Sequence, residues 1–282
     1  MGSEEEASKR LSGPPEDAPP PYSEVPVQSS SGSTAHRAPN PSANKTQSKQ
    51  SPPQIPQAQI NRQFPPAFSV YSAGAFVRTY TLGEHQSQPL CAISTHSGWS
   101  GQPDVVLHSG PSESSPPLAG VDSGAFTRSA SVELPPLPGS GQRAAVEDVE
   151  FQGIGHGTHS FSIEVGVTGR REPFEWRHSH GAEVDALGGY GSGWKLIRLA
   201  TDAPDGMPSK AQSVGGGSRS TDKKEVVAVW AGASMSVSKI LNFRFVGSGA
   251  TGVLGERWAV MAVITALRIW DKERKAKRNN AS

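Results

Sequence analysis

The chain has 282 residues, with 27 Lys and Arg against 26 Asp and Glu and a formal net charge of +1. So even a balance gives no electrostatic reason to expect nucleic acid as a partner. The single cysteine, Cys91, excludes an intramolecular disulfide framework and leaves a Cys-based zinc site almost without ligands. One thiol fits a reducing, cytoplasmic setting. The opening MGSEEEASKR has no apolar stretch, so it does not read as a secretory signal, and Glu6 stands where a myristoylation sequence wants Ser or Thr. Without such a signal, the sequons at Asn44 and Asn280 read as chance matches.

Residues 1–63 hold 11 of the 24 prolines, one aromatic residue, Tyr22, and six side chains of each charge sign. Such a stretch buries too little apolar area to offset the entropy of ordering it. It reads as a disordered arm with polyproline-like patches. Within it, Pro19, Pro20, Pro21 and Tyr22 form a PPPY sequence. WW domains take a preformed polyproline helix in paired aromatic grooves and the tyrosine in a further pocket. Proline's fixed φ keeps the entropy of docking low. Proline-rich segments also produce this sequence by chance, but here the arm's one aromatic falls in the required place. The expected partner is a WW-domain protein such as a Nedd4-type HECT ubiquitin ligase. Phosphorylation of Ser23 would add charge beside the tyrosine pocket.

Every Phe and Trp of the chain lies at or after Phe64. From there, short apolar runs are bounded by Gly, Pro, Ser and Asp. They fall at 76–82, 90–94, 105–108, 118–121, 131–134, 160–165, 174–178, 194–199, 226–230 and 242–246. Several alternate apolar with polar residues, as in Phe161-Ser162-Ile163-Glu164-Val165, which means half-buried strands. About ten short strands with turn residues between them predict an antiparallel sandwich or barrel. No helical stretch separates them, which disfavours parallel βαβ units. Residues 203–221, which include GGGSRS, read as a flexible insertion between two strands. Residues 135–148, opening on PPLPGSG, read as a second exposed loop.

The period changes at the end of the chain. Residues 258–270 read WAVMAVITALRIW, with Thr265 and Arg268 the only polar members. Ala, Met and Leu favour helix. Glu256 complements the positive end of the helix dipole and the following DKERKAKR its negative end. A helix of about 255–278 that is apolar all round must be surrounded. Thirteen apolar residues span about 20 Å, short of the roughly 30 Å of a bilayer core. A closed sheet is then what surrounds it, and Arg268 reaches out at the barrel mouth.

FEWRHSHGAEV at 174–184, GWKLIRL at 193–199, KEVVAVWA at 224–231, NFRFVGSG at 242–249 and LGERWAVMAVITALRIWDKER at 254–274 carry a resemblance. They look like fungal proteins with a tubby C-terminal-like domain. More distantly, the layout resembles tubby, the LURP-one-related proteins and the phospholipid scramblases. The resemblance covers roughly residues 68–274 and implies a β-barrel of about twelve strands threaded by a hydrophobic C-terminal helix. The expected domain is residues 64–278. The resemblance also implies phosphoinositide binding at a membrane surface, as in tubby. Scramblases carry a cysteine-rich stretch and an acidic segment before the helix. Here Cys91 stands alone and 246–254 holds no acid, so scramblase activity is not expected.

Arg170, Arg171, Arg177, Lys195 and Arg198 lie in the most family-like segments and are the candidate contacts for anionic head groups, with Lys223 and Lys224 beside them. Each is also an ordinary residue for the polar face of a surface strand. Lys272, Arg274, Lys275, Lys277 and Arg278 have three readings: partners of the helix dipole, a membrane contact, or a nuclear signal.

His156, His159, His178 and His180 make a zinc site conceivable, but strand and loop histidines are the commoner case, and no metal is expected. The glycine runs at 153–157 and 188–193 lead into strands instead of helices, so they read as hairpin or bulge loops, not phosphate loops. Ser236 and Lys239 form S-x-x-K with no partner motif, and no G-x-S-x-G occurs. Without a catalytic constellation, the expected function is a non-enzymatic, monomeric adaptor. In it the arm recruits the ligase, and the barrel binds a membrane lipid or a protein cargo. An unrecognised enzyme or lipid-handling protein is the alternative. A helix that fills the barrel would weaken it.

Overall fold

The computed structural model describes residues 63–72, 78–97, 100–123, 129–136, 144–153, 157–204 and 219–280. The PPPY sequence, the arm before it and after it, His156 and most of the 203–221 insertion lie outside these residues.

Twelve strands follow in chain order: β1 Ala67–Ser72, β2 Thr79–Gly83, β3 Cys91–Thr95, β4 Val105–His108, β5 Pro117–Ser123, β6 Ser129–Leu134, β7 Ala145–Gln152, β8 Thr158–Val165, β9 Arg170–Ser179, β10 Gly189–Arg198, β11 Glu225–Ala233 and β12 Lys239–Phe245. Each pairs antiparallel with the next, and β1 also pairs with β12, so the sheet closes into a barrel without edges. Alternation sets the faces. On β6 (SASVEL), Ala130, Val132 and Leu134 are buried and Ser129, Ser131 and Glu133 exposed. The inward rows meet as aromatic pairs across strands. Phe161 of β8 stacks on Phe174 of β9 with ring centroids 5.6 Å apart. At the closing seam, Phe68 of β1 stacks on Phe243 of β12 at 4.7 Å.

The barrel is filled by α3, Glu256–Asn280. Within 258–270, every residue but Ala259 and Arg268 is buried, so the apolar circumference read from the sequence is matched by a surrounding sheet. Thr265 is satisfied internally. Its Oγ1 donates to the Met261 carbonyl at 2.7 Å and accepts from Trp176 Nε1 at 2.9 Å. Trp194 Nε1 donates to Glu273 Oε1 at 2.8 Å. These two indole bonds fix the depth of the helix in the barrel.

Two short helices pack against β10 and β11. In α1, Ala182–Asp185, Val184 is buried over β10. In α2, Gly247–Thr251, Gly249 lies so close to the Val227 carbonyl and the Trp258 ring that no side chain fits there. The 188–193 glycine run belongs to β10, with Gly188 at φ 67° just before it. The strand skips register between Gly189 and Gly193, the bulge the sequence allows.

Two strands escape the sequence reading. β1 follows directly on Phe64, where the composition changes but no strand was assigned. β7 corrects the end of the loop expected at 135–148, which is strand from Ala145 on. The physical reason is local. In β7 the inward position Glu147 is a buried acid and the outward Val146 is 67 % exposed, so the apolar pattern runs backwards at the strand's start. Residues 137–143 lie outside the described set.

Candidate functional site

The barrel has two mouths, and α3 enters by one and leaves by the other. At the entry mouth, Arg257 of α3 donates to Glu147 at 2.7 Å and to Glu164 at 3.4 Å. Arg171 reaches the same two carboxylates, Glu147 at 2.6 Å. Beside them Arg198 is 2 % exposed, and its guanidinium forks onto Glu172, with Nη2 to Oε1 at 2.7 Å. Arg170 pairs with Glu172 and Asp202, which hold its guanidinium above the ordinary range.

The five candidate cations therefore fall into three places. Arg170 and Arg198 share Glu172, and Arg171 joins the Arg257 cluster. Arg177 and Lys195 are direct cross-strand neighbours on β9 and β10, and Arg177 is paired with Glu175 and Asp222. The side chains of Arg170 and Arg171 remain 39 % and 48 % exposed, while Arg198 is enclosed. Sequence could not show most of this, because Glu147, Glu164, Asp202 and Asp222 reach these arginines from other strands or loops, while Arg170–Glu172 and Arg177–Glu175 pair within β9. Lys224 is also engaged, through the Leu199 carbonyl at 2.7 Å.

At the exit mouth, the basic tail of α3 is built into the rim. Arg274 bonds to Tyr80, Thr95 and Asp271, and its guanidinium lies over the Trp270 ring at 5.0 Å. Lys275 pairs with Asp271 at 2.7 Å and Asp104 at 3.4 Å. These two side chains hold the helix to the barrel. Lys277 and Arg278 are exposed.

A cavity of about 150 Å³ opens at this same mouth, lined by Ser129, Phe151, His159, Thr265, Arg268 and Lys272 among others. His159 sits on β8 and is buried against Phe151 and Trp194. Burial, then the charges of Lys272 and Arg268, push its imidazole down to about 3. Burial also lowers Arg268, and attraction to Asp104, Asp271 and Asp122 offsets only part of this. Lys272 stands over the Phe151 ring at 4.0 Å. Burial and then Arg268 hold its ammonium below the usual lysine range.

Among the described residues no group of three or more His, Cys, Asp and Glu could hold a metal ion. His178 and His180 do approach, with ring centroids 5.1 Å apart. Sequence reading also missed a serine–histidine pair. Ser94 Oγ lies 2.9 Å from His108 Nε2, and His108 Nδ1 lies 2.9 Å from the Ser115 carbonyl. Ser94 is 6 % exposed and also bonds Glu113, so the arrangement ties β3 to β4 and offers no accessible nucleophile. No helix among the described residues is long and apolar enough to cross a membrane.

Together these features define a class: a closed twelve-strand antiparallel barrel with its own C-terminal helix as core. No known protein family, curated protein or solved structure matches the chain.

Proposed function

We propose that the chain is a cytoplasmic, non-enzymatic adaptor of the tubby-like kind, whose arm recruits a WW-domain protein and whose barrel binds an anionic membrane lipid or a protein cargo. The observation that carries the reading is Pro19-Pro20-Pro21-Tyr22, set in a segment with 11 prolines and no other aromatic residue. The barrel supports a binding role. Its interior is occupied by α3, so a large partner meets its surface and mouths and finds no deep chamber. A helix-filled barrel of twelve strands is also the layout that the tubby resemblance implies. For lipid contact, Arg177 and Lys195 offer adjacent cations on the outer face and Arg170 and Arg171 offer partly exposed ones near the entry mouth. Arg198 acts indirectly by holding Glu172 against Arg170.

Affinity purification of the intact protein beside its Tyr22→Ala form tests the arm. Loss of WW-domain ligases from the variant, with an unchanged melting temperature, is the expected result. Recovery of the same WW-domain partners by both forms makes the PPPY sequence accidental. For the barrel, vesicle pelleting is expected to need a phosphoinositide and to fall as salt rises. Equal, negligible pelleting with and without phosphoinositide leaves protein cargo as the ligand.

A further inference from the structure

We propose that the exit-mouth cavity is a binding site for a phosphate-type oxyanion, free or borne on a lipid headgroup, held by Arg268 and Lys272. Among the inward positions of α3 between residues 258 and 270, two are polar. Thr265 is accounted for by its bonds to Met261 and Trp176. Arg268 is not. Its Nε is enclosed and finds no acceptor among the described residues. Two of the acids whose charge acts on it are bonded to other groups, Asp104 with Lys275 and Ser123, and Asp271 with Arg274 and Lys275. Asp122 acts on Arg268 only through its charge.

Burying a guanidinium whose Nε has no acceptor, and whose neighbouring acids offset only part of its desolvation, is costly. Leu or Met would fill this helix position without that cost, as apolar residues do at 266, 267, 269 and 270. What Arg268 faces is a cavity of about 150 Å³ that also receives Lys272 and the ring of His159. Lys272 is exposed and marks the way in. Burial is the main reason His159 stays neutral there, and the charges of Lys272 and Arg268 add to it. Two cations call for a doubly charged guest. A phosphate monoester carries about −1.5 to −2 near pH 7, and its oxygens suit the fork of an arginine better than a single carboxylate does. Phe151 and Ile269 supply apolar walls.

The site stands independently of the arm. If the headgroup form is the true one, it deepens the lipid reading of the barrel. The test uses the full chain with inorganic phosphate, against chloride at matched ionic strength, read as melting temperature. Phosphate is expected to raise it in a saturable way, as a ligand of the folded state does. Arg268→Met is expected to melt higher than wild type in chloride and to show no phosphate response. Lys272→Gln, on an exposed side chain, is expected to fold normally and to need about tenfold more phosphate for the same shift. Phosphatidylcholine vesicles with and without a phosphatidylinositol bisphosphate then separate the sources. Vesicle binding lost in both variants assigns a headgroup. Vesicle binding kept while the phosphate response is lost assigns a free anion and leaves the lipid surface elsewhere. A phosphate shift no larger than that of chloride, or one retained in Lys272→Gln and Arg268→Met alike, overturns the proposal.

Discussion

At the scale of single residues, charge placement decides behaviour that composition hides. His159 is held down to about 3 by burial and by Lys272 and Arg268, against an ordinary value near 6.5. The folded chain therefore keeps this imidazole neutral while the unfolded chain protonates it. Because the folded value is the lower one, the stability involved is fully present above pH 6.5. It is lost as pH falls from there towards 3. Between pH 6.5 and 5 the loss attributable to this group is about 1.5 kcal/mol. Urea unfolding at both pH values should show it in the wild type, and His159→Gln should flatten that part of the profile. An unchanged slope in the variant would assign the pH dependence to other groups. Cys91 is governed by the same burial, which lifts its thiol to about 11. A thiol reagent at pH 8 should label it only as fast as the barrel unfolds. Rapid labelling of the native protein would place Cys91 at the surface. Arg268 was visible in the sequence as the one charge in an apolar run. Its unpartnered Nε was not, because that depends on which carboxylates of the strands and of α3 are already bonded to other cations.

At the scale of elements, close approach of backbones is what the sequence hides best. Gly193 lies at the end of the β10 bulge, where a Cβ would press into the Trp230 carbonyl and come within 2.9 Å of Val184. Gly193→Ala should lower the unfolding free energy by about 1–3 kcal/mol, since neither neighbour can move without breaking the β10–β11 pairing or lifting α1. Equilibrium unfolding by tryptophan fluorescence measures it, and a neutral result would mean that the bulge is plastic. Strands with clean alternation, such as β6, β8 and β12, were readable from period alone. β7 was not, because Glu147 occupies an inward position and makes sense only once Arg257 and Arg171 converge on it. β1 was hidden for a different reason. It is short, it adjoins the proline-rich segment, and its role as the closing strand between β12 and β2 is a property of the topology. Helix α3 was the most legible element. A run apolar on every face and too short for a bilayer has few ways to be buried.

At the scale of the whole molecule, sheet and helix specify each other. A twelve-strand ring closed around nothing would leave a wide apolar lumen, and α3 outside the ring would expose an apolar circumference. The core is therefore shared. Met261 and Ile264 of α3 are fully buried among inward side chains of the strands, and Trp258 packs on Phe174 and Phe245 with centroids 5.8 and 5.7 Å apart. Loss of one such side chain costs about 2–5 kcal/mol, and a typical domain has about 5–15 kcal/mol in total. Deleting residues 255–282 removes many at once, along with the Trp176 and Trp194 hydrogen bonds to Thr265 and Glu273. The truncated chain should be insoluble, or soluble only as a species without cooperative unfolding. Ile264→Asp should approach the same result within the full-length chain, because it places an unpaired carboxylate where exposure is 0 %. Expression yield, near-UV circular dichroism and calorimetry on the deletion and the point variant decide the matter. A truncated protein that stays soluble, melts cooperatively and loses only its association with membranes would make α3 an anchor. The strands would then need another core.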